Sequence, residues 1–501
     1  MKKFTYIFSS LVVLVLATSC GKSFITPVHN SSEPKDEYFI NEERMHQGLV
    51  AAYNPLNWLD YAWGYTPIMF LSDIMTNDIL CGGSDKNDQI SLSTTHFYTL
   101  VANNEPSSLW TALYSGINRC CVVLENVDKV PGMSDAAKNQ YKAEALVLKA
   151  FYYNLLWKFW GNIPHYDVNL LAPYKAPQLK ADDAYEAIVT KLEEAINLKA
   201  LPAKASAGLE GMATQDMAYM LFAEMVMYQN DKTRFQKALD YMEEIINSGR
   251  YDLVDDFASM WEVEGEWGAE SIWEINFTSV GSVRGWSNML APGGHVYGTL
   301  IGINGAKKDW YSGWGFGPVA TGAYDMYGDG DVRRDASILD WRNETDSYSP
   351  RWQDTGLFQK KYIGRKDGTA GALSDSDCNQ NSNFRIYRFA ETLLNAAELK
   401  LLISGSANEQ YLNRVRTKRH SNGVGSTQED IILERRKEFL SEGKHYWDLV
   451  RSGLAKTELK AVNHCFGERQ YDWDESVKYW PLPQSECDKD DALVQNPYPV
   501  R

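Results

Sequence analysis

Two groups of residues in this 501-residue chain invite a chemical reading. The first is charged. Arg388, Glu391, Asn395 and Glu398 follow one another at steps of 3, 4 and 3, which places them on one stripe of a helix over Phe384 to Ile403. The rest of that segment is apolar: Ile386, Phe389, Leu393, Leu394, Ala397 and Leu401 cover much of its surface. A second stripe, Ile432, Arg436, Phe439, Gly443, Trp447 and Val450, runs at steps of 4, 3, 4, 4 and 3 through Ile431 to Arg451. An arginine inside an apolar stripe needs a carboxylate or carbonyl partner, because burying an unpaired guanidinium is costly.

Two carboxylates on one face can do acid–base work. Seven residues of helix separate Glu391 from Glu398 by roughly 10.5 Å along the axis. Glycoside hydrolases hold their pair across a cleft at about 5–9.5 Å, and a helix this apolar leaves no room for a sugar. The charges therefore read as structural. Arg414 and Arg416 in LNRVRTKR, with Arg435 and Arg436, are the nearest basic groups, so a buried network of Arg388, Glu391, Asn395, Glu398, Arg416, Arg435 and Arg436 is expected.

The second group is aromatic. Trp58, Tyr61, Trp63 and Tyr65 crowd into NWLDYAWGY, and Trp286, Asn288, Trp310, Tyr311 and Trp314 fall in a stretch, Ser279 to Asp331, that holds 13 of the chain's 36 glycines. No helical or strand period persists there. Long loops without secondary structure are functional or disordered, and so many rings argue against disorder. Flat indole and phenol faces stack on the C–H faces of sugars while amides and charged groups bind hydroxyls. These nine residues are the candidate ligand contacts, and they need no catalytic pair.

Other chemistry is weakly represented. Asp329 and Asp331 in YGDGDVRR lack the remaining ligands of a calcium loop and read as a turn. No C-x-x-C or H-E-x-x-H pattern occurs, so neither metal nor cofactor is expected, and no Ser/Cys–His arrangement suggests a triad. A net charge of −16 and a pI near 5.1 repel phosphate backbones and exclude nucleic acid as a partner.

The elements that would position these groups are mostly helices. MKKFTYIFSSLVVLVLATSC has a charged start, a short apolar centre and small residues before Cys20, the pattern of an export signal. Residues 1–19 are expected to be removed, 20–37 to form a tether, and no other segment offers ~18 consecutive apolar residues. Leu109 to Val127, Tyr141 to Trp160, Ala184 to Leu198, Thr214 to Tyr228 and Arg234 to Ile246 read as helices pairing at roughly 34 residues per hairpin. ESIWEINF, from Glu270, alternates as a strand. The expected fold is mainly α: TPR-like helix pairs as a scaffold over 38–269 and 384–501, with an irregular subdomain containing short strands over 270–383. The six cysteines after Cys20 are too sparse for their spacing to define pairs.

Several stretches, in order, resemble the SusD/RagB family of outer-membrane lipoproteins: LWTALYSGINR, AEALVLKAFYYNLLWKFWGNIP, SGRYDL, ESIWEINF, GDGDVRRDASIL, FQKKYIG, YRFAETLLNAAE, LNRVRTKR, ERRKEFLSEGKHYWDLVR, and the terminal WPLP and QNP. Cys20 fits the lipobox of such proteins. The resemblance implies a diacylglyceryl anchor on Cys20, a TPR-type scaffold carrying a ligand-binding subdomain, no catalysis, and a nutrient, usually a glycan, passed to a SusC-like TonB-dependent transporter. One branch of the family takes peptides instead, and a secreted glycan-degrading enzyme or a TPR-type adaptor are the competing readings. Three departures stand out: Cys121 where Asn is common, GKSFIT without the acidic residues that mark surface export, and QNPYP at the end.

Overall fold

The computed structural model describes residues 38–61, 64–65, 67–307, 309–344 and 347–501. The signal segment, the tether and Cys20 lie outside the described residues. Helices of six residues or more are α1 (Glu42–Tyr53), α2 (Ile68–Asp73), α3 (Ile90–Phe97), α4 (Ser107–Asn126), α5 (Asp135–Trp160), α6 (Ala181–Asn197), α7 (Gln215–Gln229), α8 (Phe235–Asn247), α9 (Phe389–Ser404), α10 (Glu409–Arg419), α11 (Gln428–Glu438) and α12 (His445–Ser452). Six short strands are β1 (Ile163–Pro164), β2 (Gln178–Leu179), β3 (Ser271–Ile275), β4 (Ile338–Asp340), β5 (Leu357–Gln359) and β6 (Phe384–Arg388), paired antiparallel as β1–β2, β3–β6 and β4–β5. The fold is mainly α, as expected. No described helix is long and apolar enough to cross a membrane.

Helix starts follow the capping residues in the sequence. Asn41, Ser134, Thr214 and Asn408 each accept a backbone N–H of the first turn, and Thr427 and Asp430 form a capping box. Successive helices pack against one another from α4 to α8, and α8 then packs against α9, so the stack continues across the loop-rich excursion. That excursion is closed at its neck by the β3–β6 ladder, where Ile275 faces Phe384 and Ser271 faces Arg388.

Both charged segments differ from the expected single helices. Phe384 to Arg388 is strand, not helix, and α9 begins only at Phe389. FRIYR is buried on both faces, so its apolar content fits either period, and pairing with β3 decides. Ile431 to Arg451 is two helices. Ser441 and Gly443 adopt left-handed φ of +67° and +71° between them. At Gly443 the chain passes so close to α2 that a Cβ would lie 2.6 Å from Met69 Cα.

The break redistributes the charges. Arg435 reaches Asn395 (2.7 Å), Asp448 (2.8 Å) and, more distantly, Glu391 (3.4 Å). Lys444 also pairs with Glu391 at 3.1 Å, and Arg451 pairs with Glu398 and Asp448. Arg388 leaves this stripe and pairs with Glu270, Glu438 and Glu442 at 2.6, 3.1 and 2.8 Å. Glu438 also receives Arg419 and Arg333, and it is fully buried. Two expected participants are elsewhere, Arg416 pairing with Glu434 and Arg436 with Asp78, and the neighbouring Arg414 pairs with Asp252. Asp331, from the calcium-like fragment, is occupied by Arg333 at 2.6 Å. The six cysteines in the described residues are free thiols.

Asp78 is buried and also lies 2.7 Å from His445 Nδ1. Burial alone would raise its pKa, but Arg436 and His445 outweigh burial and hold it well below the ordinary 3.8. A depressed carboxylate stabilises the fold above its unfolded pKa and loses that contribution as pH falls through the folded value. Arg436→Ala should cost about 3–5 kcal/mol by stranding this carboxylate, read by chemical denaturation at pH 7. Asp78→Asn should flatten the acid limb of the melting-temperature profile below about pH 4; an unchanged limb would refute the assignment.

Candidate functional site

The first aromatic stretch is fixed by Asp60. A 3-10 turn over Asn54–Trp58, with Pro55 at its start, carries the chain from α1 to this buried carboxylate. Asp60 accepts Arg284 Nη2 at 2.6 Å and the Val296 backbone N–H at 2.7 Å. Arg284 is completely buried and donates its other terminal nitrogen to Gly294 O at 2.5 Å. One ion pair thereby joins the loop bearing Tyr61 to the Gly-rich loop bearing Trp286.

The Gly-rich loop is braced from a third segment. Asn379 donates to the carbonyls of Arg284 and Asp375 at 2.8 Å each and accepts the Ser282 hydroxyl at 2.6 Å. The Trp286 backbone N–H donates to Asp375 at 2.8 Å. Gly285 makes the approach possible, since a Cβ there would sit 2.3 Å from Ser374 Oγ. Trp314 is set by backbone alone: its N–H donates to Thr299 O at 3.0 Å, and Gly315 N–H donates to Gly302 O at 2.8 Å. A Cβ at Gly313 would lie 2.3 Å from Thr299 O, and Gly315 has a φ of +73°.

These constraints bring four of the nine candidate aromatics and amides together. Tyr61 meets Tyr65 edge-on at 5.0 Å and Trp286 at 5.6 Å. Tyr65 meets Trp314 at 5.6 Å and 87°, and the two indoles lie 5.8 Å apart with planes inclined by 30°. Met289, Val296 and Cys378 pack beneath Tyr61, Tyr65 and Trp314. Trp286 is 41% exposed, so the cluster reaches the surface. Burial pushes the Tyr65 hydroxyl up to about 12, so it stays a neutral donor at neutral pH.

The other candidates divide. Tyr311 is half-buried and donates to Asp377 at 2.7 Å, beside Cys378. Asn288 is exposed, with no side-chain partner among the described residues. Trp58 is a correction: it is 4% exposed, donates to Leu290 O and packs on Ala112 under the Arg119 guanidinium, so it belongs to the core. Trp310 is half-buried and stands apart from the four rings. It joins a separate cluster with Ile303, Trp341 and Phe358, and Arg365 covers its ring at 4.8 Å. Trp63 lies outside the described residues. Asp60, Arg284, Asn379 and Asp375 were missed by sequence reasoning; the one available signal was a lone carboxylate, Asp60, inside an aromatic run.

The arrangement offers ring faces with adjacent donors and acceptors. Among the described residues, the carboxylates of Asp375 and Asp377 each accept a hydrogen bond from the loop itself. The result is a helical scaffold that carries an aromatic cluster on braced loops.

The comparisons give that scaffold a family. The SusD family profile matches residues 337–498, and a profile described as starch-binding associating with outer membrane matches residues 36–226. A surface glycan-binding protein A from Bacteroides thetaiotaomicron, solved with laminarihexaose, is 39% identical with a TM-score of 0.87, over 91% of this chain and all of that one. A laminarin-binding SusD-like protein is 28% identical with a TM-score of 0.81, over 91% of this chain and 99% of its own. SusD-like protein P2 of Formosa agariphila is 24% identical over 99% of both chains. The chain belongs to the SusD family.

Asp60→Ala should leave Arg284 buried and unpaired and cost about 3–5 kcal/mol. Denaturation measures that loss, and the Trp286 fluorescence environment should change with it. A stable variant with an unmoved spectrum would show that the pair does not position the platform.

Proposed function

We propose that this protein is a non-catalytic surface lipoprotein that binds a laminarin-type β-glucan on the Tyr61–Tyr65–Trp286–Trp314 platform. It passes the glycan to a SusC-like TonB-dependent transporter in the outer membrane, anchored there through Cys20. The observation that carries the ligand reading is the four-ring cluster that reaches the surface at Trp286, with Tyr61, Tyr65 and Trp314 half-buried beside it. The 30° inclination of Trp286 against Trp314 suits a curved glucan better than a flat ribbon, because each indole then faces a different sugar ring. Support for the glucan class comes from the relatives solved with laminarihexaose and described as laminarin-binding. The transporter and the anchor rest on the family resemblance and on the outer-membrane association named in one matching profile.

Binding of this kind concentrates its energy in a few aromatic anchors. Trp314→Ala should leave the fold intact and weaken laminarihexaose binding by at least about 10-fold, equivalent to ~1.4 kcal/mol. Calorimetric titration of laminarihexaose beside cellohexaose and a peptide panel reads this directly. Preference for peptide, or unchanged affinity in the variant, would refute the site. Release of reducing ends on incubation with laminarin would refute the non-catalytic reading. Co-purification of a large β-barrel from solubilised outer membrane tests the partner.

A further inference from the structure

We propose that a second aromatic cradle, between Phe97, Trp352 and Tyr471, is an extension subsite that takes further sugar units of the same glucan chain. This rests on the platform reading. The cradle is a cavity of about 350 Å³ lined also by Lys86, Glu468 and Gln470, within the size range of saccharide-sized ligand sites. Phe97 and Trp352 meet at 6.0 Å and 64°. Trp352 is locked in place: its indole N–H donates to Glu468 at 3.1 Å, and Glu468 is held in turn by Gln353 at 2.5 Å. Gln353 accepts the Gly82 backbone N–H at 3.1 Å. A ring held by successive hydrogen bonds is prepared for stacking before any ligand arrives. Lys86 and Gln470 are exposed and have no side-chain partner among the described residues, leaving donors for hydroxyls at the rim.

The cradle is connected to the platform through backbone. Gly83 N–H donates to Gly315 O at 3.0 Å, and Trp352 N–H donates to Gly83 O at 3.0 Å. Three segments therefore lie side by side, carrying Trp314–Gly315, Gly83 and Trp352. At ~4.8 Å per spacing the outer two are about 10 Å apart, which an oligosaccharide spans and a single sugar ring does not. Arg351 packs on Gly315 between them and is only loosely paired with Asp88 at 3.8 Å. A chain seated on Trp286 and Trp314 would pass Arg351 and end on Trp352.

The test titrates the full chain with laminaritriose and with laminarin. Trp352→Ala should weaken laminarin by about 10-fold and leave laminaritriose unchanged. A Lys86→Ala/Gln470→Ala double variant, altered only at exposed side chains, should show a smaller loss with the same length dependence. Unchanged laminarin affinity in the double variant and in folded Trp352→Ala would overturn the extension subsite. So would an equal loss for both ligands. If Trp352→Ala does not fold, the double variant decides. Trp314→Ala is run in parallel: intact triose binding there would overturn the platform itself, a failure distinct from that of the extension.

Discussion

Everything that presents the ligand surface hangs on buried charge matched at the neck of the loop-rich excursion. Glu270 precedes β3 and Arg388 ends β6, and the two pair at 2.6 Å. Arg419 of α10 also holds Glu270, while Glu438 of α11 collects Arg333, Arg388 and Arg419. Replacing such a cluster by apolar residues can be neutral or even stabilising, because desolvation consumes most of the Coulomb gain. Removing a single member is another matter, since it strands the rest. The cluster thus specifies geometry more than it adds stability. It dictates which strand and which helices meet, and so where the excursion leaves and rejoins the helical stack.

The same logic recurs on a smaller scale at the ligand surface. Asp60 and Arg284 are both fully buried, and the two loops they join carry little regular structure. Loops of this kind lose much conformational entropy on ordering, and hydrophobic packing of exposed rings cannot return it. Buried polar bonds from Asn379, Ser282 and Asp375 supply directionality instead. The glycines at 285, 313 and 315 then allow backbone to approach backbone where any side chain would clash.

How much of this was legible in the sequence depends on the range of the interaction. The start at Thr214 was readable, because its side chain caps α7 within three residues, whereas α5 was read only from Tyr141 although Ser134 caps it at Asp135. The need for partners on Arg436 and Glu391 was readable from burial, but the partners were not. Asp78 lies 358 positions from Arg436, and no periodicity connects them. The segment FRIYR read as helix because local pattern cannot distinguish a doubly buried strand from a buried helical turn. At the site, composition located the aromatic stretches but could not sort rings. Trp58 and Tyr61 are three residues apart, yet one is sealed under Arg119 and the other faces Trp286.

That sorting bears on what a binder of this kind must do. The proposed role, capture of a polymer and its transfer, needs recognition without a long residence time. Related complexes differ mostly in their dissociation rates. On the proposed platform, ring stacking with hydroxyl contacts at the rim would keep each sugar partly solvated and each contact individually weak. Rigidity of the rings limits the entropy lost on binding, so the site can be selective for chain shape while remaining shallow. Asp60 and Arg284 neutralise each other out of contact with solvent, so this pair adds no exposed charge to the ring cluster. An uncharged glycan then meets ring faces without displacing the tightly held water that an exposed ion pair would carry.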